Sequence, residues 1–320
     1  MRSAGLALAL VLCAACAVPA TPVPTAPAAS ASVASSPTAP PSPSAARSAT
    51  KGRLESHTFS SAVLSTVPGR GRTMPYLAYL PPGYDRNLNA RYPVTYLLHG
   101  GGGTDTEWAD YGLVDAADRL MGSGTIPPFI IVLPQGDQEY WVDHVVDRAV
   151  GANGERWGTY TAHEVVAEID TRFRTIARPA GRAIGGLSMG GHGAFQLSLN
   201  FPGIWSVVGA HSPALRPFGD APTYLGAGAE FAARDPFALI RSKVGIARTL
   251  TYWIDTAESD PWFTQVAALH LELETLGIAH EWHPFPGGHD AAYWGGHLED
   301  YLRYYAGALC RDRSACPSSP

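Results

Sequence analysis

Short apolar runs alternate along residues 51–320 with longer stretches whose apolar residues recur at helical spacing. Continuous apolar runs bounded by turn residues are typical of strands that are buried on both faces of a parallel sheet. We predict strands at residues 72–80, 94–98, 129–133, 183–187, 205–210, 250–254 and 281–285. We predict helices at residues 162–173, 193–200, 263–276 and 298–309. This alternation predicts a single-domain α/β fold, in which helices cover both faces of a mostly parallel central sheet.

Two long segments, residues 136–158 and 213–235, interrupt the alternation and are rich in Gly, Pro and aromatic residues. Irregular segments at the carboxyl ends of parallel strands commonly build the functional site. We therefore expect both segments to lie near that site.

The first fifty residues follow a different pattern. Residues 1–17 carry Arg2, then an apolar run and then small residues, which is typical of a secretory signal peptide and too short to span a membrane comfortably. Residues 18–50 consist almost entirely of Pro, Ala, Ser and Thr, and they predict a disordered tether because they cannot bury enough apolar surface to fold. The sequence thus predicts an exported protein whose folded domain spans residues 51–320.

Two ways of processing the N-terminus remain open. Ala15-Cys16-Ala17 fits an ordinary signal-peptidase site, which would release the protein outside the cell. Ala14-Ala15-Cys16 resembles a bacterial lipobox, although Cys13 stands where that motif usually carries Leu. In the second case a lipid on Cys16 would anchor the protein to the outer face of the cell membrane. We expect no other membrane contact.

The amino-acid composition then excludes several classes of function. Apolar residues make up 46% of the chain, which is enough for a sizeable core and excludes disorder of the whole chain. The formal net charge is −5 and Lys and Arg form no block, so the basic surface that a nucleic-acid-binding protein needs is missing. Cys310 and Cys316 can form a disulfide in an oxidising compartment. No His, Cys, Asp or Glu cluster has convincing metal spacing, so we expect no metal and no other cofactor.

The sequence Gly186-Leu187-Ser188-Met189-Gly190 follows a predicted strand and precedes a predicted helix. Small residues two positions before and after a serine are needed where a tight strand-to-helix turn lifts the hydroxyl clear of the sheet. The N-terminus of the following helix favours the negative charge that develops on a substrate oxygen. We predict that Ser188 is a nucleophile.

Four glycines at residues 100–103 follow His99, directly after a predicted strand. Consecutive glycines allow backbone N–H groups to face a ligand without obstruction by a Cβ atom. A phosphate-binding loop is the alternative, but neither a Lys-Ser/Thr pair nor the acidic partner of a dinucleotide-binding motif accompanies these glycines. We expect an oxyanion hole that includes the N–H of Met189, and a structural role for His99.

The general base should be the last member of the site in chain order if Ser188 belongs to an α/β-hydrolase. His289 is favoured because it lies in a glycine-rich loop that follows a predicted strand. His211, His283 and His297 remain alternatives on residue type alone.

The acid that orients this base should lie between the nucleophile and the histidine, just beyond a strand. Asp260 meets this condition, since it lies in the loop beyond the strand predicted at residues 250–254. Asp255, at the predicted strand end, and Glu258 remain alternatives.

Together these motifs resemble the esterase family of α/β-hydrolases, which includes feruloyl esterases, esterase-D-type thioesterases, enterochelin esterases and mycolyltransferases. The matching residues are 96–103 with Trp108, 185–194, Asp260-Pro261, and 286–290 with Trp294, within a resemblance that covers about residues 60–305. The resemblance implies an α/β-hydrolase fold and ester hydrolysis through an acyl-enzyme intermediate. By position it assigns Ser188 as nucleophile, Asp260 as acid, His289 as base, and Gly101 and Met189 as donors of the oxyanion hole. The family often has a bulkier residue in place of Gly101.

Aromatic residues crowd the loops that we expect around the mouth of this site. Trp108, Tyr140, Trp141 and Trp294 are candidates for stacking against an aryl acyl group or a sugar, and simple packing of the loops is the alternative. We therefore expect a small-molecule or polysaccharide-linked ester as substrate. Transfer of the acyl group to a sugar acceptor remains an alternative function, as does a non-catalytic surface protein that keeps the fold.

Overall fold

A mixed β-sheet organises the part of the chain that the computed structural model describes, which is residues 51–64, 71–138, 140–147, 152–311 and 316–317. In chain order its strands and those of a small hairpin are β1 (Arg53–Ser61), β2 (Arg72–Leu80), β3 (Val94–Leu98), β4 (Ile130–Pro134), β5 (Val146–Asp147), β6 (Ala152–Asn153), β7 (Arg182–Leu187), β8 (Val207–His211), β9 (Thr251–Ala257) and β10 (Glu281–Phe285). The hairpin consists of β5 and β6, and the other eight strands form one sheet in the order β1-β2-β4-β3-β7-β8-β9-β10.

Strands β1, β2 and β4 pair in antiparallel fashion, whereas all pairs from β4 through β3 and β7 to β10 are parallel. The mostly parallel sheet that the apolar runs predict is therefore confirmed. Because the carboxyl ends of parallel strands meet at one edge, the residues that follow β3, β7, β8 and β9 are brought close together.

Helices lie on both faces of this sheet. They are α1 (Glu107–Asp110), α2 (Leu113–Gly122), α3 (Trp157–Thr159), α4 (Val166–Arg172), α5 (Met189–Asn200), α6 (Ala229–Ala232), α7 (Pro236–Ser242), α8 (Val244–Ala247), α9 (Phe263–Thr275), α10 (Ala291–Gly296) and α11 (Leu298–Leu309). A π-helical turn, Tyr160–Val165, joins α3 to α4.

The core has two parts, one on each face of the sheet. Successive residues of β3 show this: Tyr96 and Leu98 belong to one hydrophobic cluster and Leu97 to the other. Side chains alternate between the faces of a strand, so a strand that is apolar throughout must be covered on both sides.

Among the boundaries that differ from the sequence-based prediction, two bear on the site. Helix α5 begins at Met189 rather than at residue 193. The intervening glycines disfavour a helix on propensity, but they allow it to pass close to its neighbours: a Cβ atom on Gly190 would lie 2.4 Å from the carbonyl oxygen of Leu98. Strand β9 continues to Ala257 rather than ending at residue 254, so Asp255 lies within the strand.

All described residues belong to one unit of the chain, Arg47–Pro320. The segments interpreted as a signal peptide (residues 1–17) and a tether (residues 18–50), together with Cys16, lie outside the described residues. At the other end, a disulfide joins Cys310, which follows α11, to Cys316. No helix in the described ranges is both long and apolar enough to cross a membrane.

Candidate active site

Ser188 occupies the sharp turn between β7 and α5. Its backbone has φ 51° and ψ −114°, a left-handed conformation that is unfavourable for a residue with a side chain. Two backbone hydrogen bonds hold the turn, because the Ser188 N–H donates to the carbonyl of His211 (2.9 Å) and the Ser188 carbonyl accepts from the N–H of Ala214 (2.9 Å). Gly186 and Gly190 make room for the turn, since a Cβ atom on Gly186 would lie 2.4 Å from the backbone of Gly190.

His289 lies in the loop between β10 and α10 and connects the other two predicted residues of the site. Its Nε2 is 2.8 Å from the Ser188 hydroxyl oxygen. Its Nδ1 is 2.6 Å from Oδ2 of Asp260. With the proton on Nδ1, the ring donates to the carboxylate and accepts from the serine hydroxyl, which is the tautomer that a general base requires.

Asp260 lies just beyond β9 and is only 6% exposed. Its Oδ2 also accepts a hydrogen bond from the hydroxyl of Ser212, and its Oδ1 accepts one from the backbone N–H of Trp262 at 2.6 Å. Burial raises the pKa of Asp260, but the hydrogen bonds from His289, Ser212 and the Trp262 N–H outweigh burial and leave the pKa below its ordinary value. The carboxylate is thus ionised beside the imidazole.

The alternative acids are located elsewhere. Asp255 is fully buried within β9, where its Oδ2 lies 2.7 Å from Nδ1 of His211 rather than near His289. Glu258 is exposed at the surface.

The alternative bases have other partners. The ring of His283 stacks on that of Trp253, with centroids 3.7 Å apart. His297 stacks on Phe285 at 4.1 Å. Of the four histidines that the sequence leaves open, the described structure therefore brings only His289 to Ser188.

Within the described residues, one N–H group of the glycine loop after β3 has no acceptor. The other three have acceptors: Gly100 donates to Glu107 (2.7 Å), Gly102 to Gln138, and Gly103 to the carbonyl of Gly100 (3.1 Å). The N–H of Gly101 has no acceptor among the residues that the structure describes, and the same holds for the N–H of Met189.

Gly101 and Met189 both line a cavity together with Ser188 and His289. Two free N–H groups beside the serine hydroxyl are what an oxyanion hole consists of.

The side chain of His99 holds this loop in place through two hydrogen bonds. Its Nδ1 donates to the carbonyl of Gly100 (2.9 Å), and its Nε2 accepts from the N–H of Gly136 (3.0 Å). Burial lowers the pKa of His99, which keeps the ring neutral. Its contacts are those of a structural residue.

The cavity above Ser188 has a volume of about 520 Å³. One wall carries Tyr140 and Trp262, with Arg216 between them: its Nε donates to the Tyr140 hydroxyl (2.7 Å), and its guanidinium lies 4.9 Å from the Trp262 ring centroid. Asp220 pairs with the same guanidinium at 3.0 Å.

Of the four aromatic residues proposed for substrate stacking, only Tyr140 lines this cavity. Trp108 is buried and donates from Nε1 to the carbonyl of Leu98 (3.0 Å), and Trp141 is buried and donates to that of His99 (3.2 Å). Trp294 is buried too, with its ring edge-on to His289 at 4.8 Å. These three tryptophans support the loops of the site, as in the packing alternative.

Sequence reasoning missed Ser212, Gln138 and Arg216. Ser212 directly follows β8, so its place at the carboxyl edge of the sheet is the signal that could have identified it. Gln138 and Arg216 lie within the two irregular segments, whose location near the site was expected, but nothing in the sequence singles them out. Within the described ranges, no group of three or more His, Cys, Asp or Glu residues is arranged to hold a metal ion.

Comparisons with known proteins agree with this geometry. The family model described as "Putative esterase" matches residues 68–305. An esterase of Mycobacterium tuberculosis is 31% identical over 277 residues, which are 76% of this chain and 57% of that protein. This chain therefore spans little more than half the length of that relative.

Solved structures share the fold at lower identity. A ferulic acid esterase, 24% identical, superposes with a TM-score of 0.70 over 81% of this chain and 99% of its own. An S-formylglutathione hydrolase from Agrobacterium tumefaciens, 21% identical, superposes with a TM-score of 0.66 over 81% and 96%. With the family match over most of its length and a fold of this kind, the chain belongs to the esterase family of α/β-hydrolases.

Proposed function

We propose that this protein is an exported serine esterase, which hydrolyses carboxylic esters through an acyl-enzyme intermediate. The observation that carries the proposal is the continuous hydrogen-bonded line from Asp260 through His289 to Ser188, which ends in a cavity beside the backbone N–H groups of Gly101 and Met189. Nucleophile, base and orienting acid at hydrogen-bond distance are the arrangement that acyl transfer requires.

In the first step, Ser188 Oγ attacks the ester carbonyl carbon while His289 Nε2 takes the hydroxyl proton. The charge on the carbonyl oxygen is stabilised by the N–H groups of Gly101 and Met189. The bond to the alcohol oxygen then breaks, and the alcohol leaves with the proton from His289. The product is an ester between the acyl group and Ser188.

In the second step, water takes the place of the alcohol. His289 removes a proton from the water molecule as the water oxygen attacks the acyl carbon. The bond between the acyl carbon and Ser188 Oγ then breaks, and His289 returns the proton to Ser188 Oγ as the free acid leaves. Throughout, ionised Asp260 stabilises the charged imidazole and keeps its orientation.

The walls of the cavity favour an ester that carries a ring. Tyr140 and Trp262 provide aromatic surface, and Arg216 provides hydrogen-bond donors beside it. Such surfaces bind aryl groups and sugars by stacking. The structural similarity to a ferulic acid esterase supports the same class, a small-molecule or polysaccharide-linked ester.

The deciding experiment compares the wild-type chain with Ser188→Ala. Wild type should hydrolyse p-nitrophenyl acetate and react with a fluorophosphonate probe, and the variant should do neither, because only Ser188 is activated by His289. Ser212→Ala is a matched control at a second active-site serine, and it should still be labelled. Labelling and hydrolysis that persist in Ser188→Ala would rule out the proposed nucleophile.

The same assay tests the alternative functions. An added sugar alcohol that yields more transfer product than free acid would identify an acyltransferase instead. A wild-type chain that neither reacts with the probe nor hydrolyses any ester, from acetyl through feruloyl to long-chain, would favour a non-catalytic surface protein.

We also propose that the chain is exported, on the strength of residues 1–17. Expression of the full chain in a bacterium, followed by fractionation and mass spectrometry, tests this and separates the two forms of processing. A lipid on Cys16 that is lost in Cys16→Ser indicates an anchored protein, whereas an unmodified N-terminus at Val18 indicates free secretion. Unprocessed protein in the cytoplasm would contradict export.

A further inference from the structure

Beneath the active site lies a buried cluster of polar side chains that the mechanism above does not use. Its centre is Asp255, which is 0% exposed and carries four hydrogen bonds. Oδ2 lies 2.7 Å from His211 Nδ1 and accepts from Trp253 Nε1 at 2.7 Å. Oδ1 accepts from the hydroxyls of Tyr293 (2.8 Å) and Tyr301 (3.2 Å).

Each hydrogen bond in this cluster can be assigned one donor and one acceptor. A second contact, 2.8 Å between His211 Nε2 and the Tyr305 hydroxyl, is satisfied when the phenol donates to Nε2. The ring proton is then on Nδ1 and points at Asp255, so all four neighbours donate to the carboxyl oxygens. Burial, together with the charge of Asp255, raises the pKa of Tyr293 far above its usual value, so this phenol remains a donor.

Asp255 and its partners contact each of the three elements that carry the proposed triad. The carbonyl of His211 accepts from the N–H of Ser188 (2.9 Å), which fixes the nucleophile turn. The carbonyl of Asp255 accepts from the N–H of Ser212 (2.9 Å), and the Ser212 hydroxyl donates to Asp260.

The third connection leads to the loop of the general base. Tyr293 lies in α10, directly after the His289 loop, and its N–H donates to Asp290 Oδ1 at 3.0 Å. Its ring packs against Gly287 on the other side of His289, where an added Cβ atom would come within 3.0 Å of the ring. The Tyr293 hydroxyl therefore ties both sides of the His289 loop to Asp255.

Resting on the proposed esterase function, we propose that Asp255 is a positioning residue for the reaction. Through Tyr293 it sets the distance between His289 and Ser188, and through Ser212 it sets the place of Asp260. It does not touch the substrate. Misplacement of a catalytic group by about 1 Å can lower the rate by as much as a hundredfold, so a rigid anchor shared by the three elements has a direct effect on turnover.

Tyr293→Phe tests this role, because it removes only the hydroxyl that links the His289 loop to Asp255. We expect kcat to fall about tenfold while KM stays within about twofold, since binding groups are unchanged and only the alignment of the base is lost. The rate of fluorophosphonate labelling should fall in parallel.

Tyr304→Phe is the matched control. This tyrosine is buried in α11, and its hydroxyl shares its one proton between the carbonyls of Val208 (2.8 Å) and Thr251 (3.0 Å) and does not contact Asp255. It should lower the melting temperature about as much as Tyr293→Phe but leave kcat within about twofold of wild type.

Asp255→Asn is a second variant. Its amide group would face hydrogen-bond donors, so this variant should lower kcat more than Tyr293→Phe does. If Asp255→Asn does not fold, the comparison of Tyr293→Phe with Tyr304→Phe still tests the positioning role. Equal kcat in Tyr293→Phe and wild type, or equal losses of kcat in the two tyrosine variants, would overturn the positioning role. A wild-type chain with neither labelling nor hydrolysis would overturn the proposed function and this role with it.

Discussion

The hydroxyl of Ser212 donates a hydrogen bond to the carboxylate of Asp260, although 48 residues separate the two in the sequence. Ser212 reaches it from the carboxyl end of β8 with a backbone φ of 47°. In the described ranges, the other non-glycine residues with positive φ are Tyr140 and Ser188, which line the cavity, and Trp141, which follows Tyr140 in the chain. Strained backbone of this kind costs of order 1–3 kcal/mol per residue and persists where the surrounding structure fixes it, typically at functional sites.

Ser212→Ala should lower kcat/KM by about threefold to tenfold, because it removes one of the hydrogen bonds that hold and ionise Asp260. The remaining bonds, from His289 and the Trp262 N–H, preserve part of the alignment. Steady-state kinetics with a p-nitrophenyl ester measures the loss. Ser206→Ala is the control at the opposite end of β8, where the backbone of Ser206 makes the hydrogen bonds, and it should leave kcat/KM unchanged. Equal kinetics in both variants would contradict the prediction.

The same variant should change the pH dependence of stability. The pKa of Asp260 is lowered in the folded state, so its contribution to stability is fully present above the unfolded pKa, near 3.8, and is lost as the pH falls through the folded pKa. Without the Ser212 hydroxyl the folded pKa rises towards that of the unfolded chain. The difference in unfolding free energy between wild type and Ser212→Ala, about 1–2 kcal/mol at neutral pH, should therefore shrink below about pH 4.

Urea unfolding of both proteins at about pH 6 and about pH 3 measures this difference. A difference that is the same at both values would mean that the hydrogen bond does not depend on the charge of Asp260.

The sequence predicts those parts of the site that depend on local geometry. Ser188 could be identified because a strand, two small residues and a helix define its turn within a few positions. His289 and Asp260 followed from chain order and from loops after strands, and the structure brings His289 to Ser188 and Asp260 to His289. The sheet could be predicted for a similar reason, since strands covered on both faces are apolar throughout.

Contacts across long stretches of sequence could not be predicted in this way. Arg216 reaches Tyr140 over 76 residues, and nothing near either residue in the sequence indicates the pairing. Asp255 was considered as an acid because the apolar pattern ends at Ile254, whereas the strand itself continues and carries the carboxylate into the interior. Trp108 and Trp141 show a further limit: a tryptophan that packs beneath a loop and one that binds a ligand look alike in sequence.

Gly190→Ala should strain the nucleophile turn and destabilise the folded protein. An added Cβ atom would lie 2.4 Å from the carbonyl oxygen of Leu98, and backbone cannot move aside as a flexible side chain could. Overpacking of this kind costs about 1–3 kcal/mol or more, so thermal unfolding should show a melting temperature several degrees lower. Gly245→Ala is the control, because no described atom outside its own helical turn and chain neighbours lies within 4 Å of its added Cβ atom. A Gly190→Ala protein as stable as that control would contradict the close approach.

Loss of the disulfide should lower stability but not activity. Cys310 and Cys316 close a short loop at the end of α11, away from the cavity. In the chain-entropy model a loop of this size contributes about 2 kcal/mol, so Cys316→Ser should lower the unfolding free energy by roughly that amount. Denaturant unfolding measures the change, and wild type treated with a reductant should behave like the variant. A parallel loss of kcat in Cys316→Ser would mean that the end of α11 also supports the site.

Arg216→Ala should weaken the binding of a feruloyl ester more than that of an acetyl ester. Arg216 lies between Tyr140 and Trp262 on the cavity wall, and its removal frees two side chains that would otherwise be held for stacking. For a feruloyl ester we expect KM to rise about fivefold, which corresponds to roughly 1 kcal/mol of binding, with kcat little changed. For p-nitrophenyl acetate, whose acyl group carries no ring, both constants should stay close to wild type.

Arg241→Ala provides the matched control for this substrate test. Its guanidinium also lies over an aromatic ring, 6.0 Å from the centroid of Phe237, and pairs with Glu272, but it does not line the cavity. It should leave KM unchanged for both esters. If Arg216→Ala raises KM equally for the acetyl and the feruloyl ester, the residue acts on the catalytic geometry, and the cavity wall does not select for a ring in the acyl group. A rise confined to the feruloyl ester would instead identify Tyr140, Arg216 and Trp262 as the surface against which the substrate ring binds.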